Sequence, residues 1–410
     1  MEGFFDVLIV GAGHGGVQVL ASLRANGFTG TVGVLDASAE FPYERPPVSK
    51  DILAGKIAPE EAPLRPARFW SEPHTQLLLS TRVTSVDAWD KVVETKGGDQ
   101  FRYRYLVWAA GAEARKLSLP GVDLKGVHYL RTLEDVRGVL ADLDATERAV
   151  VIGGGYIGME SAAALRARGI PITLIESQAR VMARTTSATV SNFLESEHAA
   201  RGVVFKLEAD VRAFVGASPG HVSGVELADG RAIPADLVLI GIGIVPSIEP
   251  LVRAGAQASD GIVVDENCWT SLDGVLAVGD CTRQPDVFRT GKPVRIESIQ
   301  NAVEQGKVAA AAISNAKRVP RTPPRFWSNQ FGHRIRTVGL QQPHDSQIIR
   351  GSFDAGSFSV LYVGGDVVRA IDCVNAPADF ASGRLLIERR TRIPDLGVLA
   401  DSNVPLKSLM

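Results

Sequence analysis

Two glycine-rich turns are the parts of this chain most able to do chemistry. Gly11, Gly13 and Gly16 form a G-x-G-x-x-G after a short apolar run, and Asp36 follows about 20 residues after the last glycine. A backbone free of side chains can turn tightly there and approach a pyrophosphate. The helix that follows presents free N–H groups and its positive dipole end to that anion. His14 and Gly15 complete the loop; the His14 side chain is expected to face away and is given no chemistry. Asp36 is placed to accept hydrogen bonds from an adenosine ribose. The pattern recurs at Gly153, Gly155 and Gly158, with Tyr156 and Ile157 inside the turn and Glu176 ending the next apolar run. A carboxylate at that point holds the 2′-hydroxyl of NAD and repels the 2′-phosphate of NADP. The nearest base is Arg180, so NADH is expected over NADPH.

Thiol chemistry is set aside by spacing. Cys268, Cys281 and Cys373 form no CxxC or CxxxxC pair, and no zinc-ligand cluster is seen. Cys281, beside Asp280, has no partner thiol and reads as a small buried residue. A reducing, cytoplasmic compartment is expected. The net charge of −2 argues against a nucleic-acid partner, and 6% aromatic content leaves little for stacking platforms. Hydrophobic content of 45% and charged content of 22% are ordinary for a globular protein of several domains. The opening run MEGFFDVLIVGAGHGG is too short for a membrane span and lacks a basic segment or cleavage site. No membrane partner is expected.

The turns need elements to hold them. Residues 5–10 read as a buried parallel strand, 16–26 as a helix and 31–35 as a second strand. The run AVVIG, the helix MESAAALRARG and the run ITLIE form a second such unit from Ala149. Strands are also expected at 83–87 and 105–109. The run PADLVLIGIG mirrors YLVWAAG, and VLAVGD ends another strand with an acid. Residues 298–314 are alanine-rich and helical, and VPRTPPR at 319–325 marks a boundary. Beyond it, FSVLYV and VVRAID suggest a small antiparallel sheet and RLLIERR a helix. The fold class is α/β: two Rossmann-like nucleotide-binding domains plus a C-terminal α+β domain.

The segments GAGHGG, FPYERPPVSKDIL, VVIGGGYIGMESAAALRARG, AVGDCT, RIESIQNAVEQG and FWSNQ fall in order along nearly the whole chain. Together they resemble the FAD-dependent, NADH-linked ferredoxin reductases of the putidaredoxin reductase and aromatic-ring dioxygenase reductase family, in the glutathione-reductase-like superfamily. The resemblance implies an FAD domain at 1–115 and 246–320, an NAD domain at 116–245 and a C-terminal domain at 321–410. It implies that Gly11 to Gly16 cradle the FAD pyrophosphate and that Asp36 binds its ribose. Arg45 and Lys50 would lie on the flavin side, Val83 against adenine through its backbone, and Arg131 against FAD. Asp280 would hold the ribityl chain, and Ile299 would open a helix whose N-terminus favours negative charge on the reduced ring. Ala110 and Gly111 complete the FAD set. Gly153 to Gly158, Glu176 and Gly243 make up the NAD set. Glu160 would meet the nicotinamide end and Trp327 the isoalloxazine, with an ion pair expected between Lys50 and Glu160. The bland alternatives are a surface lysine, a helix-face acid and a packing tryptophan.

The superfamily's disulfide reductases carry a CxxxxC pair where this chain has FPYERPPVSKDIL, without cysteine. Electrons must leave by another route, and a one-electron carrier, a [2Fe–2S] ferredoxin, fits that need. From Glu304 to Asp345 no acid intervenes, while Lys307, Lys317, Arg318, Arg321, Arg325, Arg334 and Arg336 do. Docking of an acidic ferredoxin is expected near Lys317, Arg318, Arg321 and Arg325, against the alternative of a solvated linker. The expected reaction passes hydride from NADH to FAD and single electrons to a ferredoxin feeding a cytochrome P450 or aromatic-ring dioxygenase. The chain would act as a monomer or homodimer. Two rivals stay open: an NADH oxidase or diaphorase without a dedicated partner, and an NADH-responsive FAD sensor.

Overall fold

The computed structural model describes residues 2–217, 220–286, 288, 292–317 and 319–410. Arg318, one of the expected docking residues, lies outside them. Among the described residues the α-helices are α1 (His14–Ala25), α2 (Leu133–Asp142), α3 (Tyr156–Ala167), α4 (Ala188–Ala199), α5 (Glu249–Arg253), α6 (Ile299–Ser314) and α7 (Pro377–Arg389). None of these described helices is long and apolar enough to cross a membrane. The chain forms two compact units. One comprises Met1–Glu44, Pro63–Glu113 and Pro246–Phe326; the other comprises Arg45–Ala62, Ala114–Val245 and Trp327–Met410.

The first unit is built on a seven-stranded sheet whose centre is the strand Glu2–Val10. It pairs in parallel with Val32–Leu35 on one side and Gln100–Trp108 on the other, and Val275–Ala277 extends the parallel part. Successive residues point to opposite faces, so Val7 and Ile9 join a core with α1 and α6, while Leu8 and Val10 join another containing Leu251. Burial on both faces explains why these strands read as continuous apolar runs. The central strand starts earlier than its apolar run because pairing with Gln100–Trp108 recruits the exposed Phe4. The next strand starts one residue late because Thr31 donates through N and Oγ1 to Asp6.

In the second unit, five parallel strands run in the order Val203–Lys206, Ile172–Ile175, Ala149–Ile152, Leu237–Ile240 and Val127–Tyr129. Again the strand before the glycine turn lies between the next strand and a later one, as the two mirrored apolar runs suggest. The segment 327–410 contributes an antiparallel sheet with α7 packed on it around Val338, Leu361, Ile371 and Leu386. The short segment Arg45–Ala62 also belongs to this unit. Arg168 Nε donates to Leu53 O at 2.6 Å, and Arg137 pairs with Glu60 at 2.8 Å.

Candidate functional site

Within the first unit, Gly11 takes φ +105°, where a Cβ would stand 2.3 Å from Ala109 O. A Cβ on Gly16 would be 2.0 Å from Gly11 O, so helix and strand approach too closely for any side chain. Over Gly13 there is open space: a Cβ there meets nothing within 4 Å. Asp36 clasps the turn, accepting from Ala12 N at 2.6 Å and Ser38 N at 2.8 Å. His14 turns its ring to Glu44, Nε2 to Oε2 2.9 Å. The second unit repeats this geometry. Gly153 takes φ +102°, a Cβ on Gly158 would lie only 1.8 Å from Gly153 O, and Gly155 faces open space. Glu176 accepts from Gly154 N at 2.6 Å and Gln178 N at 2.8 Å.

These cradles suit a dinucleotide on a further ground. Helices α2, α4 and α6 begin with side-chain caps from Thr132, Ser187 and Ser298. Helices α1 and α3 begin at Gly13 and Gly155 with no side-chain cap and no acid in the first turn. Their leading N–H groups are therefore available to an anion. An FAD pyrophosphate and an NADH pyrophosphate fit the two turns. Arg180 is turned away from Glu176, onto Ser191 Oγ at 2.6 Å and Ala183 O at 2.9 Å. Arg180 is thus engaged within its own segment. The exposed Arg184, which sequence reasoning passed over, brings Nη2 within 3.5 Å of a Cβ built on Gly243.

The other residues of the first unit that the resemblance assigns to FAD lie at the ends of strands and at a helix start. Ala110 and Gly111 follow Gln100–Trp108, Asp280 follows Val275–Ala277, and Ile299 is the first residue of α6. Val83 opens the strand Val83–Asp87 and is buried. Behind Asp280, Gln305 of α6 accepts from Gly279 N at 2.7 Å and donates to Thr282 and Gln284 at 2.9 Å each, tying helix to strand end.

In the second unit, Lys50 Nζ lies 3.0 Å from Glu160 Oε1, with the two side chains 16% and 3% exposed. Two consecutive prolines open the short 3₁₀ turn Pro46–Ser49 and fix the approach of Lys50. Two further donors converge on the same carboxylate: Ser49 Oγ at 2.7 Å on Oε2 and Ser328 Oγ at 2.5 Å on Oε1. Neither serine was singled out from sequence. Arg45 donates to Arg131 O at 3.1 Å. Trp327 is 36% exposed. Tyr156 is half-buried, with its hydroxyl turned inward to Thr337 and Thr185; burial, then the Asp372 charge, pushes its pKa up. Ile157 is 40% exposed.

The three cysteines are free and buried. Burial pushes the Cys268 and Cys281 thiols up to about 12 and raises that of Cys373 as well. They are held as thiols, unsuited to relay electrons. Of the basic block, Lys317 is exposed. Arg321 donates to Gln284 Oε1 and Glu266 O, and Arg325 pairs with Glu304 at 3.4 Å. Arg336 is folded back onto Asn329 and backbone carbonyls of Ser328 and Ile335.

Residues 5–306 match the pyridine nucleotide-disulphide oxidoreductase family, and residues 325–410 match a reductase C-terminal domain. The ferredoxin reductase subunit of the 5,5′-dehydrodivanillate O-demethylase of Sphingobium sp. strain SYK-6 is 44% identical over 405 residues, covering 99% of this chain and 98% of that one. A ferredoxin–NAD(P)+ reductase of Sphingomonas sp. is 43% identical over 407 residues, with 99% and 98% covered. Among solved structures, the covalent putidaredoxin reductase–putidaredoxin complex matches with a TM-score of 0.94 at 38% identity, covering 98% of this chain and 97% of that one.

Proposed function

The chain belongs to the pyridine nucleotide-disulphide oxidoreductase family, and from that premise we propose that it is an FAD-containing, NADH-dependent ferredoxin reductase. It takes hydride from NADH and passes single electrons to a [2Fe–2S] ferredoxin that feeds a cytochrome P450 or an aromatic-ring dioxygenase. When bound, FAD supplies the step from a two-electron donor to a one-electron acceptor. One observation carries the reading: two uncapped, glycine-lined turns, each clasped by a carboxylate, in a chain whose thiols are all buried and protonated. Two nucleotides are accommodated and no sulfur relay is provided.

The roles divide as follows. Gly11 to Gly16 and Asp36 hold the FAD diphosphate and ribose, and Ala110, Gly111, Val83, Arg131, Asp280 and Ile299 hold the rest. Gly153 to Gly158, Glu176 and Gly243 hold NADH, with Arg184 as an added phosphate contact. Lys50 and Glu160 orient the reacting groups, and Trp327 is the residue assigned to the isoalloxazine. FAD binding is assigned to 1–115 with 246–320, NADH to 116–245 and a C-terminal α+β domain to 321–410. The acidic ferredoxin docks at Lys317, Arg318, Arg321 and Arg325. Reduced, unpaired thiols accord with a cytoplasmic setting.

Stopped-flow reduction by NADH, followed by cytochrome c reduction with and without a [2Fe–2S] ferredoxin, tests the reading; turnover must depend on the ferredoxin. Cytochrome c reduction indifferent to any ferredoxin sinks it in favour of a diaphorase. For docking, Lys317→Glu with Arg318→Glu should slow ferredoxin reduction about tenfold and flatten its salt dependence, with NADH reduction unchanged. Unaltered ferredoxin kinetics would remove that surface.

A further inference from the structure

The strand Arg325–Gln330 alternates in what it shows to solvent. Trp327 and Asn329 are exposed, whereas Ser328 and Gln330 are 0% and 1% exposed. A period of two puts these two polar side chains on one face, where each must find a partner or lose stability. Ser328 Oγ sits 2.5 Å from Glu160 Oε1 and 3.0 Å from Gln330 Nε2. The amide nitrogen can only donate, so it occupies a lone pair of Oγ and directs the hydroxyl hydrogen to the carboxylate.

The reversed amide would draw that hydrogen to Gln330 Oε1 and leave two acceptors, Ser328 Oγ and Glu160 Oε1, facing each other. The charge on Glu160 therefore selects the orientation. The orientation has a cost: Gln330 Oε1 is buried without a hydrogen-bond partner among the described residues. The polarity of the chain is kept at the expense of one acceptor.

We propose that Ser328 and Gln330 are positioning residues for the Lys50–Glu160 pair. They form a one-way hydrogen-bond chain, Gln330 to Ser328 to Glu160, that sets the rotation of the carboxylate. With Ser328 on Oε1 and Ser49 on Oε2, the carboxylate plane is pinned at both ends, and Lys50 meets Oε1 in one geometry. The inference rests on the assignment of Glu160 and Lys50 made under Proposed function. Trp327, immediately before Ser328 on the same strand, shares the backbone of Ser328 and Gln330, so the strand carries both an outward aromatic and the inward chain.

The test uses the flavin-loaded full-length protein and the variants Ser328→Ala, Ser328→Thr, Gln330→Leu and Glu160→Ala. Single-turnover flavin reduction at saturating NADH is measured along with the apparent Kd for NADH. The visible spectrum and midpoint potential of the flavin are recorded without NADH. Loss of one hydrogen bond to a charged group predicts reduction about tenfold slower in S328A, with Kd within about twofold. The flavin midpoint potential should move in S328A, because Lys50 is no longer held in one place. S328T should recover most of the rate, and Q330L should fall between S328A and the parent.

A wild-type rate in S328A or in Q330L overturns the proposal. So does an S328T as impaired as S328A, or a loss confined to NADH affinity, since a structural role would give either. If S328A fails to keep flavin, Q330L, which leaves the hydroxyl in place, decides the question. E160A separates two failures: if it is as fast as the parent, the Glu160 assignment is lost; if it is slow while S328A is normal, only the chain is lost.

Discussion

Gly11–Gly16 and Gly153–Gly158 share φ angles of +105° and +102° at their first glycine, a forbidden Cβ at their last, and a carboxylate bonded to the second residue of the turn. They part in what covers the helix that follows. On α1, Gly15 lets α6 close in: a Cβ on Gly306 would lie 2.8 Å from Gly15 O and 2.9 Å from Gln18 Cβ. On α3 the corresponding residue is Ile157, 40% exposed, and the counterpart of Gln18 is the buried Glu160. A turn roofed by a second helix suits a resident cofactor. A turn whose helix begins with an open residue and then presents a paired carboxylate suits a nucleotide that comes and goes. Glycine geometry is common to both turns; the elements packed on the following helix are what differ.

The strongest way to break that contrast is to add one methyl group to each turn. Gly158→Ala should retain flavin but slow NADH-driven reduction by more than about 100-fold, as overpacking of roughly 3 kcal/mol allows. Gly16→Ala should come out colourless. Visible absorbance of the purified proteins and stopped-flow rates check both, and the opposite pattern would exchange the two nucleotides. Next in size is the pair at the eighth position of each motif. Glu160→Gln strands the Lys50 charge, so reduction should slow about 30-fold and stability should fall by roughly 3 kcal/mol by denaturant titration. Gln18→Glu, partnered inside its own helix by Ser22, should stay within about twofold of the parent.

The clasping acids give a smaller contrast. Glu176→Gln removes the charge that repels a 2′-phosphate, and the NADH-to-NADPH ratio of kcat/KM should fall about tenfold. Asp36→Asn should leave that ratio alone and instead weaken flavin retention on dialysis. The smallest effect concerns pH. His198 on α4, with Nε2 3.2 Å from Met159 O of α3, has its pKa lowered chiefly by burial. The unfolded chain therefore binds a proton that the folded one refuses. Stability is fully present above about pH 6.5 and falls as pH drops from there through the lowered folded value, by at most ~1.4 kcal/mol per unit. Thermal melts of His198→Asn between pH 5 and 7 should be flatter than those of the parent; parallel curves would remove His198 as the cause.

Much of this was legible from residue types. The strand, turn and helix around each motif, the helix Ile299–Ser314 and the C-terminal antiparallel sheet follow from apolar runs, glycine placement and period-two alternation. The Lys50–Glu160 pair was expected only through resemblance, because no local pattern joins residues so far apart. Ser49 and Ser328 were not picked out, although both sit inside motifs that were read. A serine beside a lysine or a tryptophan draws no notice until its hydroxyl has somewhere to point. The inward alternation of Ser328 and Gln330 left no mark in residue type, because Ser328, Asn329 and Gln330 are all polar and only packing turns the first and third inward. The basic block read as one surface, whereas Arg321, Arg325 and Arg336 each found partners within their own unit.

By itself the sequence determined the local backbone: glycines admit the positive φ and close approaches at both turns, and apolar runs without alternation require sheets buried on both faces. Tertiary structure alone decided which side chains face one another. Segment 45–62 joins the second unit, so Lys50 reaches Glu160, and the strand Arg325–Gln330 brings Ser328 to the same carboxylate. The physical reason is range. Backbone preference acts over a few residues, whereas the partner of a buried charge is fixed by packing between segments far apart in the chain.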